Sequence, residues 1–361
     1  MILEKGKLIE ISIVLANLSA GGAERVLSFI AQELDKSKFK CTLVIIGHEK
    51  DTAYDIKGIN VVYFEKHRVL KGIVPLFKYI SKNRPDIVVS AVAHLNTITA
   101  YMSILFPRVK FIAREVSISS VADSINKKQI ALIEFLVKRR FNYFDKIICQ
   151  SQAMCEDLID QYPINEEKLV LINNPISDGF IKKTKNLNSS PLKLITVGSF
   201  KKIKGHERII RTLGTLNFPF HYTMIGDGSE KTNIFDLITE FGLEDQVTHI
   251  PFTKDVASYL SESDVFLQGS FSEGFPNALI ESCAVGVPVL VLKAPGGHNE
   301  IIIDGVNGHI IENESLLAKK LKELDESFYF DTNIVADSVE SRYGKDIILA
   351  KYEALFENVL V

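Results

Sequence analysis

The chain has 361 residues, of which 46% are hydrophobic and 24% charged, and its formal net charge is -3 at pH 7. This length exceeds what one hydrophobic core usually covers, so two domains are expected, and the composition excludes a disordered protein. No apolar run approaches the ~20 residues of a membrane-spanning helix. The four cysteines form no CxxC pair and no secretory signal opens the chain, which predicts a cytoplasmic protein.

The charge is unevenly distributed. Residues 1–178 hold 24 Lys and Arg against 20 Asp and Glu, or +4, and the remainder holds 18 against 25, or -7. A basic segment surrounds the apolar string IALIEFLV, with Lys127, Lys128, Lys138, Arg139 and Arg140. It is either a solvated helix face or a peripheral contact with anionic lipid at the inner face of the cytoplasmic membrane. No nucleic-acid partner is expected.

Two segments, Leu8 to Leu34 and Leu192 to Leu213, begin in the same way. Each runs from an apolar strand through a glycine-bearing loop into an amphipathic helix. The first is followed by the predicted strands CTLVIIG, INVVYF, DIVVSAV, KFIAR and KIICQS, and the second by FHYTMIGDG, QVTHIPF, SDVFLQGS and VPVLVLK. Short β-rich runs that alternate with helical patterns predict an α/β protein with two doubly wound, Rossmann-like domains.

The segment 173–193, NNPISDGFIKKTKNLNSSPLK, is predicted to link the two domains, because it is rich in Asn, Ser, Lys and Pro. Two α/β domains of similar size that face each other form a cleft at the carboxyl ends of their strands. Ligands of such proteins bind there. This architecture alone is compatible with dehydrogenases, epimerases, binding proteins and transferases.

The first glycine loop, Ser19 to Glu24, offers Gly21 and Gly22 between a strand and a helix. Glycine lets backbone amides approach a bound group, and the helix N-terminus behind them carries partial positive charge. A tight turn without a ligand is the alternative. The loop is neither GxGxxG nor followed by a Walker lysine, so it does not support a nicotinamide site or a P-loop.

The second loop, Gly198 to Gly205, places three lysines between a strand and a helix. Lysines at a helix N-terminus oppose the helix macrodipole unless an anion also binds there. This conflict favours a phosphate site over a solvated loop.

The stretch SEGFPNALIESCAVGVPVL begins at Ser272. Pro276 suits a first helical turn and Gly286 a C-terminal cap, which predicts a helix from about Pro276 to Val285. Glu273 then precedes the helix and Glu281 lies on its second turn. The amides of Asn277, Ala278 and Leu279 are expected to point at a ligand, and two carboxylates beside a phosphate site suit hydroxyl-rich groups such as sugar and ribose.

These strings resemble the donor site of retaining GT-B glycosyltransferases of glycosyltransferase family 4. The resemblance rests on EGFPNALIE, SCAVGVPVLVLKAPGGHNEIIIDGVNGHI, GGAERVL, GSFKKIKG, IGDGSE and NNPI, and it covers nearly the whole chain. It implies a GT-B fold with two Rossmann-like domains facing across a cleft. Residues 1–178 would bind the acceptor, with a C-terminal helix at about 345–361 packing back on them, and residues 179–344 would bind the nucleotide-sugar donor.

The resemblance also implies roles for single residues. Glu281 would bind the ribose hydroxyls, Glu273 the hydroxyls of the donated sugar, and Lys204 the diphosphate. Ser199 stands where the family usually has arginine, so Lys201 or Lys202 could supply that phosphate contact. The remaining implied donor contacts are Gly21, Gly22, Phe252, Thr253, Gly274, Phe275, Pro276, Asn277, Ala278 and Leu279, with Phe252 and Thr253 beside the base.

Many relatives line the cleft with a histidine from the N-terminal domain. Here ARE stands where some of them place it, so Arg114 or Glu115 could take part instead. His94, with Asn96 beside it, is the other candidate, and its alternative role is structural. The catalytic residues implied are therefore Glu273, Lys204 and His94, with Asn96, Arg114 and Glu115 on the acceptor side.

The expected reaction is transfer of a hexose or N-acetylhexosamine from a UDP-sugar, with retention, to a saccharide or polyprenyl-linked acceptor of a cell-surface glycan. Lys204 and helix amides would stabilise the charge that develops on the leaving diphosphate. No cofactor and no metal site are expected, because no DxD motif is present and Asp227 belongs to a turn after a strand. The alternatives are a nucleotide-sugar epimerase on the same fold and a non-catalytic nucleotide-sugar-binding subunit.

Overall fold

A computed structural model describes residues 7–19, 21–118, 136–184 and 190–361. The chain divides into two compact units. Unit 1 comprises Met1–Pro175 together with Asp346–Val361, and unit 2 comprises Ile176–Lys345.

Among its described residues, unit 1 contains a seven-stranded parallel sheet with the order β3-β2-β1-β4-β5-β6-β7. Its strands are β1 Ile9–Leu15, β2 Phe39–Ile45, β3 Asn60–Tyr63, β4 Ile87–Ala91, β5 Lys110–Arg114, β6 Lys146–Cys149 and β7 Leu169–Leu171. Its helices include α1 Gly22–Glu33, α2 Ile73–Asn83, α3 Ala93–Ser103 and α4 Gln152–Gln161. The strands predicted from the apolar runs are confirmed. The edge strand β7 was missed, because it has three residues and none of them is fully buried.

The core of unit 1 lies on both faces of this sheet. The C-terminal helix α12, Lys345–Asn358, packs on the same face as α1. Its Tyr352 and Phe356 are fully buried, and the Phe356 ring stands 6.1 Å from the ring of Phe39. The last helix of the chain therefore completes the core of the first unit.

Unit 2 contains, among its described residues, a six-stranded parallel sheet with the order β10-β9-β8-β11-β12-β13. Its strands are β8 Leu192–Val197, β9 Phe220–Ile225, β10 Val247–Ile250, β11 Val265–Gln268, β12 Val289–Leu292 and β13 Gly308–Ile311. Its helices are α5 His206–Leu213, α6 Lys231–Glu240, α7 Val256–Ser261, α8 Asn277–Val285, α9 His298–Ile301, α10 Glu314–Glu326 and α11 Thr332–Tyr343. The two doubly wound α/β units confirm the predicted fold class.

The predicted linker, residues 173–193, is partly packed against the protein. Asn173 and Asn174 are buried, and their side-chain amides donate to the backbone and side-chain oxygens of Gln150. The Ile176 amide donates to the carbonyl of Tyr343 at 2.8 Å. The start of this segment is therefore packed against the units on either side of the boundary, and residues 185–189 lie outside the described part of the chain.

Candidate functional site

The candidate site lies at one edge of the unit 2 sheet. Because all its strands are parallel, their carboxyl ends meet at the same edge, where ligands of such sheets bind. The loops that leave this edge contain most of the residues predicted from the sequence.

Lys204 is placed by a short turn that only glycine can complete. Residues Lys202–Lys204 form a 3-10 turn, and Gly205 then adopts a left-handed conformation with φ of 58° before α5 begins. A side chain at Gly205 would collide with the carbonyl of Gly269, so the two loops approach backbone to backbone. The lysine side chain is thereby brought over the loop that carries Glu273.

Glu273 and Lys204 form an ion pair. The lysine Nζ lies 2.6 Å from Oε1 and 2.8 Å from Oε2 of a carboxylate that is 8% exposed. The sequence predicted both residues at the site but assigned them to different parts of the ligand. In the structure each neutralises the charge of the other.

Further polar side chains hold the Glu273 carboxylate. Ser270 Oγ donates to Oε1 at 2.7 Å, and Gln268 Nε2 donates to the same oxygen at 3.1 Å. His298 Nε2 lies 3.0 Å from Gln268 Oε1. Since the Gln268 amide nitrogen faces the carboxylate, its oxygen must accept, and His298 donates from Nε2–H. Burial lowers the pKa of His298 despite the opposing effect of Glu273, which favours the neutral ring.

Sequence reasoning missed Ser270, Gln268 and His298 as members of the site. Two signals in the sequence could have found them. Gln268 is the last residue of β11, at the end of a predicted strand, and His298 belongs to the string GGHNE.

The loop after β12 clamps the Glu273 loop. The Glu273 amide donates to Pro295 O and the Gly297 amide donates to Gly274 O, both at 3.1 Å. Between these bonds Gly296 has φ of 129°, and any side chain there would collide with the carbonyl of Glu273. The backbone at this point is therefore held by two hydrogen bonds and a close contact.

Helix α8 begins one residue after its predicted start. Pro276 is the N-cap, the helix runs from Asn277 to Val285, and Gly286 closes it in the left-handed conformation with φ of 91°. One expectation was wrong: the amide of Leu279 donates to Pro276 O at 3.1 Å and is not directed at a ligand. The first turn is closed by the backbone itself.

Accessibility at this helix start is confined to two residues. Asn277 and Ala278 are partly exposed, whereas Gly274 and Phe275 are buried. The Phe275 ring packs 5.2 Å from the ring of Tyr343, so its side chain belongs to the core. Glu281 lies on the second turn and is 3% exposed.

Ser199 and the residues expected near the base lie on loops at the same edge. The Ser199 carbonyl lies 3.2 Å from His206 Nε2, and burial lowers the pKa of His206 to about 4, so this ring is neutral. Phe252 is 59% exposed just beyond β10. Thr253 Oγ1 accepts from the Asp255 amide at 3.0 Å, which fixes the turn after Phe252.

In unit 1 the first glycine loop is closed by a tyrosine. The Gly21 amide donates to the Tyr54 hydroxyl at 2.7 Å, and that hydroxyl lies 2.7 Å from the Gly21 carbonyl. Helix α1 begins at Gly22, which is exposed. One of the two predicted backbone donors is therefore occupied within the unit.

The acceptor-side candidates separate into exposed and buried residues. His94 is exposed in the first turn of α3, directly after Val92, whose φ of 75° is unusual for a β-branched residue. Asn96, Arg114 and Glu115 are at most 2% exposed. Their burial favours a structural role over the predicted contact with an acceptor.

The buried candidates share a polar network. Asn96 Nδ2 donates to Glu115 Oε1 at 2.8 Å, and Arg114 donates to Asn174 Oδ1 at 2.5 Å and to the Tyr352 hydroxyl at 3.2 Å. Arg140 lies 3.7 Å from Glu115 and is 2% exposed.

The burial of Arg140 corrects its predicted place on a basic surface. Lys138 and Arg139 of the same segment are exposed, whereas Lys127 and Lys128 lie outside the described residues.

Within the described part of the chain, no cluster of three or more His, Cys, Asp or Glu side chains could hold a metal ion. The described helices include none with the length and apolar character needed to span a bilayer.

The paired α/β units and the residues at the edge of the second define a GT-B glycosyltransferase. Two family models match the chain: Glycosyltransferase Family 4 over residues 20–179 and Glycosyl transferases group 1 over residues 177–328. The chain belongs to the GT4-type GT-B glycosyltransferases. The epimerase and binding-subunit alternatives are not favoured by these matches.

Two relatives of similar sequence are also named as glycosyltransferases. The chain is 26% identical over 342 residues to a Campylobacter jejuni "N-acetylgalactosamine-N,N'-diacetylbacillosaminyl-diphospho-undecaprenol 4-alpha-N-acetylgalactosaminyltransferase", covering 87% of this chain and 90% of the relative. It is 23% identical to the amylovoran biosynthesis glycosyltransferase AmsD of Erwinia amylovora, covering 92% and 95%. Among solved structures, HepE of Anabaena in complex with UDP has a TM-score of 0.79 at 18% identity, covering 97% of this chain and 100% of that one.

Proposed function

We propose that this glycosyltransferase takes its sugar from a nucleotide donor, with UDP as the nucleotide, and that unit 2 binds the donor. The observation that carries the proposal is the convergence of Lys204, the buried Glu273 and Glu281 around the start of α8. A cation and helix amides suit a diphosphate, and carboxylates suit hydroxyl groups. The solved structure of HepE with UDP supports this choice of nucleotide.

The proposed chemistry retains the anomeric configuration and needs no metal. Lys204 would stabilise the negative charge that develops on the departing diphosphate, together with the amides of Asn277 and Ala278. The acceptor hydroxyl would attack on the face that the diphosphate leaves, and a diphosphate oxygen would take its proton. Glu273 would bind the sugar hydroxyls and not the anomeric carbon. His94, exposed on α3, is retained as a catalytic candidate from unit 1.

The proposed acceptor is a saccharide on a polyprenyl diphosphate, in the synthesis of a lipopolysaccharide, capsule or related polysaccharide. Support comes from the Campylobacter relative, whose name specifies a diphospho-undecaprenol acceptor, and from AmsD, named for amylovoran biosynthesis. The donated sugar would be a hexose or N-acetylhexosamine. An acceptor of this kind places the enzyme at the cytoplasmic face of the membrane.

The donor proposal is tested by thermal shift with UDP, GDP and ADP. A ligand at 100 times its dissociation constant stabilises the folded protein by about 2.7 kcal/mol. UDP should raise the melting temperature, and Glu281→Ala should abolish the rise. Glu323→Ala, which alters an exposed carboxylate of α10, is the control and should leave it unchanged. Stabilisation by GDP or ADP alone would overturn the choice of UDP.

The reaction is tested with UDP-sugars and an undecaprenyl-diphosphate-linked saccharide. Proton NMR of the product should show the anomeric configuration of the donor, and EDTA should not reduce the rate. An inverted product would exclude the retaining mechanism, and loss of activity that Mg²⁺ or Mn²⁺ restores would exclude metal independence.

A further inference from the structure

One face of unit 1 exposes a cluster of large apolar side chains. We call it the apolar patch; it consists of Leu70, Ile73, Val74, Phe77, Ile104 and Leu105, which are 37–72% exposed. The first four precede or begin α2, and the last two follow α3. A contact between the rings of Phe77 and Phe106, 5.3 Å apart, joins the two segments. Exposed apolar groups that cluster in this way mark interaction surfaces.

The surroundings of the apolar patch are strongly cationic. Residues 66–108 contain seven lysines and arginines and a single carboxylate, Asp86. That carboxylate accepts a hydrogen bond from the Glu10 amide at 2.8 Å. Lys71, Lys78 and Arg108 are exposed beside the patch. An approaching surface therefore meets apolar side chains bordered by positive charge.

A basic cavity adjoins the same helix. It has a volume of about 810 Å³ and lies between α2 and the strands β1, β2 and β3. Four lysines line it, Lys36, Lys40, Lys78 and Lys82. Glu10 is paired with Lys40 at 2.8 Å, which leaves an excess of positive charge. A cavity of this charge suits a phosphate group.

The charge decides which partner fits this face. In a symmetric dimer the same patch would meet itself, and its cations would face each other. An anionic lipid surface supplies the opposite charge to the lysines and a hydrocarbon layer for the apolar side chains.

We propose that this face of unit 1 docks on an anionic phospholipid bilayer. The apolar patch enters the interface, and the lysines of α2 and of the cavity contact lipid phosphates. The residues of this docking surface are not those of the basic segment that the sequence suggested. It rests on the proposed function only in its purpose, which is to bring the enzyme to a polyprenyl-linked acceptor.

The test is co-sedimentation of the full chain with vesicles, without donor or acceptor. We expect binding to vesicles of equal parts phosphatidylglycerol and phosphatidylcholine, and at least tenfold weaker binding to phosphatidylcholine alone. Lys78→Ser with Lys82→Ser should reduce binding to the anionic vesicles about tenfold or more, because each lysine near such a surface contributes about 1 kcal/mol. Val74→Ser with Leu105→Ser should reduce it about as much, since two apolar side chains no longer enter the interface.

Matched controls lie in unit 2. Ile181→Ser with Ile334→Ser removes two apolar side chains that are 80% and 56% exposed, and Lys319→Ser with Lys322→Ser removes two exposed lysines of α10. Both should bind vesicles as the parent does. All substitutions are at exposed positions, and circular dichroism checks that each variant is folded.

Three outcomes would overturn the proposal. They are a parent that does not sediment with anionic vesicles, patch variants that bind as well as the parent, and a parent dimer in sedimentation velocity that Val74→Ser with Leu105→Ser converts to monomer. Because the assay contains no nucleotide, its failure would leave the donor proposal intact. Failure of UDP to bind would likewise leave the docking result standing.

Discussion

Replacing Glu273 with glutamine should tighten the binding of UDP while it abolishes sugar transfer. In the structure Lys204 Nζ contacts both carboxylate oxygens, at 2.6 and 2.8 Å, so the diphosphate of the proposed donor would compete with Glu273 for this lysine. Glutamine keeps the shape of the side chain and an oxygen that can accept from Ser270. The substitution therefore removes the charge and leaves the loop in place.

The magnitude follows from Coulomb's law. A phosphate oxygen that contacts Lys204 from the other side would lie about 5 Å from the Glu273 carboxylate. Two like charges at ~5 Å repel by roughly 3 kcal/mol at an effective dielectric constant of 20 and about 0.8 kcal/mol in bulk water. The lysine side chain is 30% exposed, which places the effect between these limits. About 1–2 kcal/mol corresponds to a roughly 5- to 30-fold lower dissociation constant for UDP.

Isothermal titration calorimetry with UDP measures the effect, and three further variants test its cause. Lys204→Met should bind UDP more weakly than the parent. The double variant should bind UDP more tightly than Lys204→Met does, because the Glu273 charge repels the phosphate whether or not the lysine is present. Glu314→Gln removes another carboxylate that pairs with a cation of unit 2 and should leave binding unchanged. If Glu273→Gln binds UDP no more tightly than the parent, Lys204 does not hold the diphosphate in the way proposed.

Three further predictions concern stability, measured by urea or thermal unfolding followed by circular dichroism. Gly296→Ala should lower the free energy of unfolding by about 3 kcal/mol, since its φ of 129° and a neighbouring carbonyl exclude a side chain. Gly198→Ala, where a Cβ would enter open space, should lower it far less, and equal losses would contradict this argument. His206→Gln should make the protein less sensitive to acid. The pKa of His206 is about 4 in the folded protein and 6.5 in the unfolded chain, so the parent loses stability as the pH falls through this window, by about 2 kcal/mol at pH 5. An unchanged dependence of stability on pH would refute the assignment. Arg140→Met should cost about 3 kcal/mol by leaving Glu115 buried without its cation, and adding Glu115→Gln should recover much of the loss.

Predictions from the sequence were best where a local pattern decides the structure. The apolar runs of β4 and β12 are buried along their whole length and were recognised as strands. The positions of Pro276 and Gly286 predicted the ends of α8 to within one residue, because proline is favoured at the start of a helix and glycine just after its end. The short edge strands β7 and β13 were missed, since three or four residues carry little periodic signal.

The candidate site was only half predicted. The glutamates and lysine stand in recognisable strings, but Gln268 and His298 meet across 30 residues of sequence, and their contact depends on β11 and β12 pairing side by side. Arg114 and Glu115 were acceptor-side candidates because ARE stands where some relatives place a histidine. The packing of α3 and α12 around them made them part of a buried network instead.

The sequence by itself determined the two α/β units, the helix that begins after Pro276 and the residue types at the candidate site of unit 2, because these depend on neighbours a few positions apart. Only the tertiary structure decided that Lys204 is neutralised by Glu273, that Arg140 is buried, and that the apolar side chains around α2 remain exposed. Burial and pairing depend on which distant segments meet, and no local pattern records that. The physical reason is that the energy of a charge or an apolar group is set by its surroundings in space.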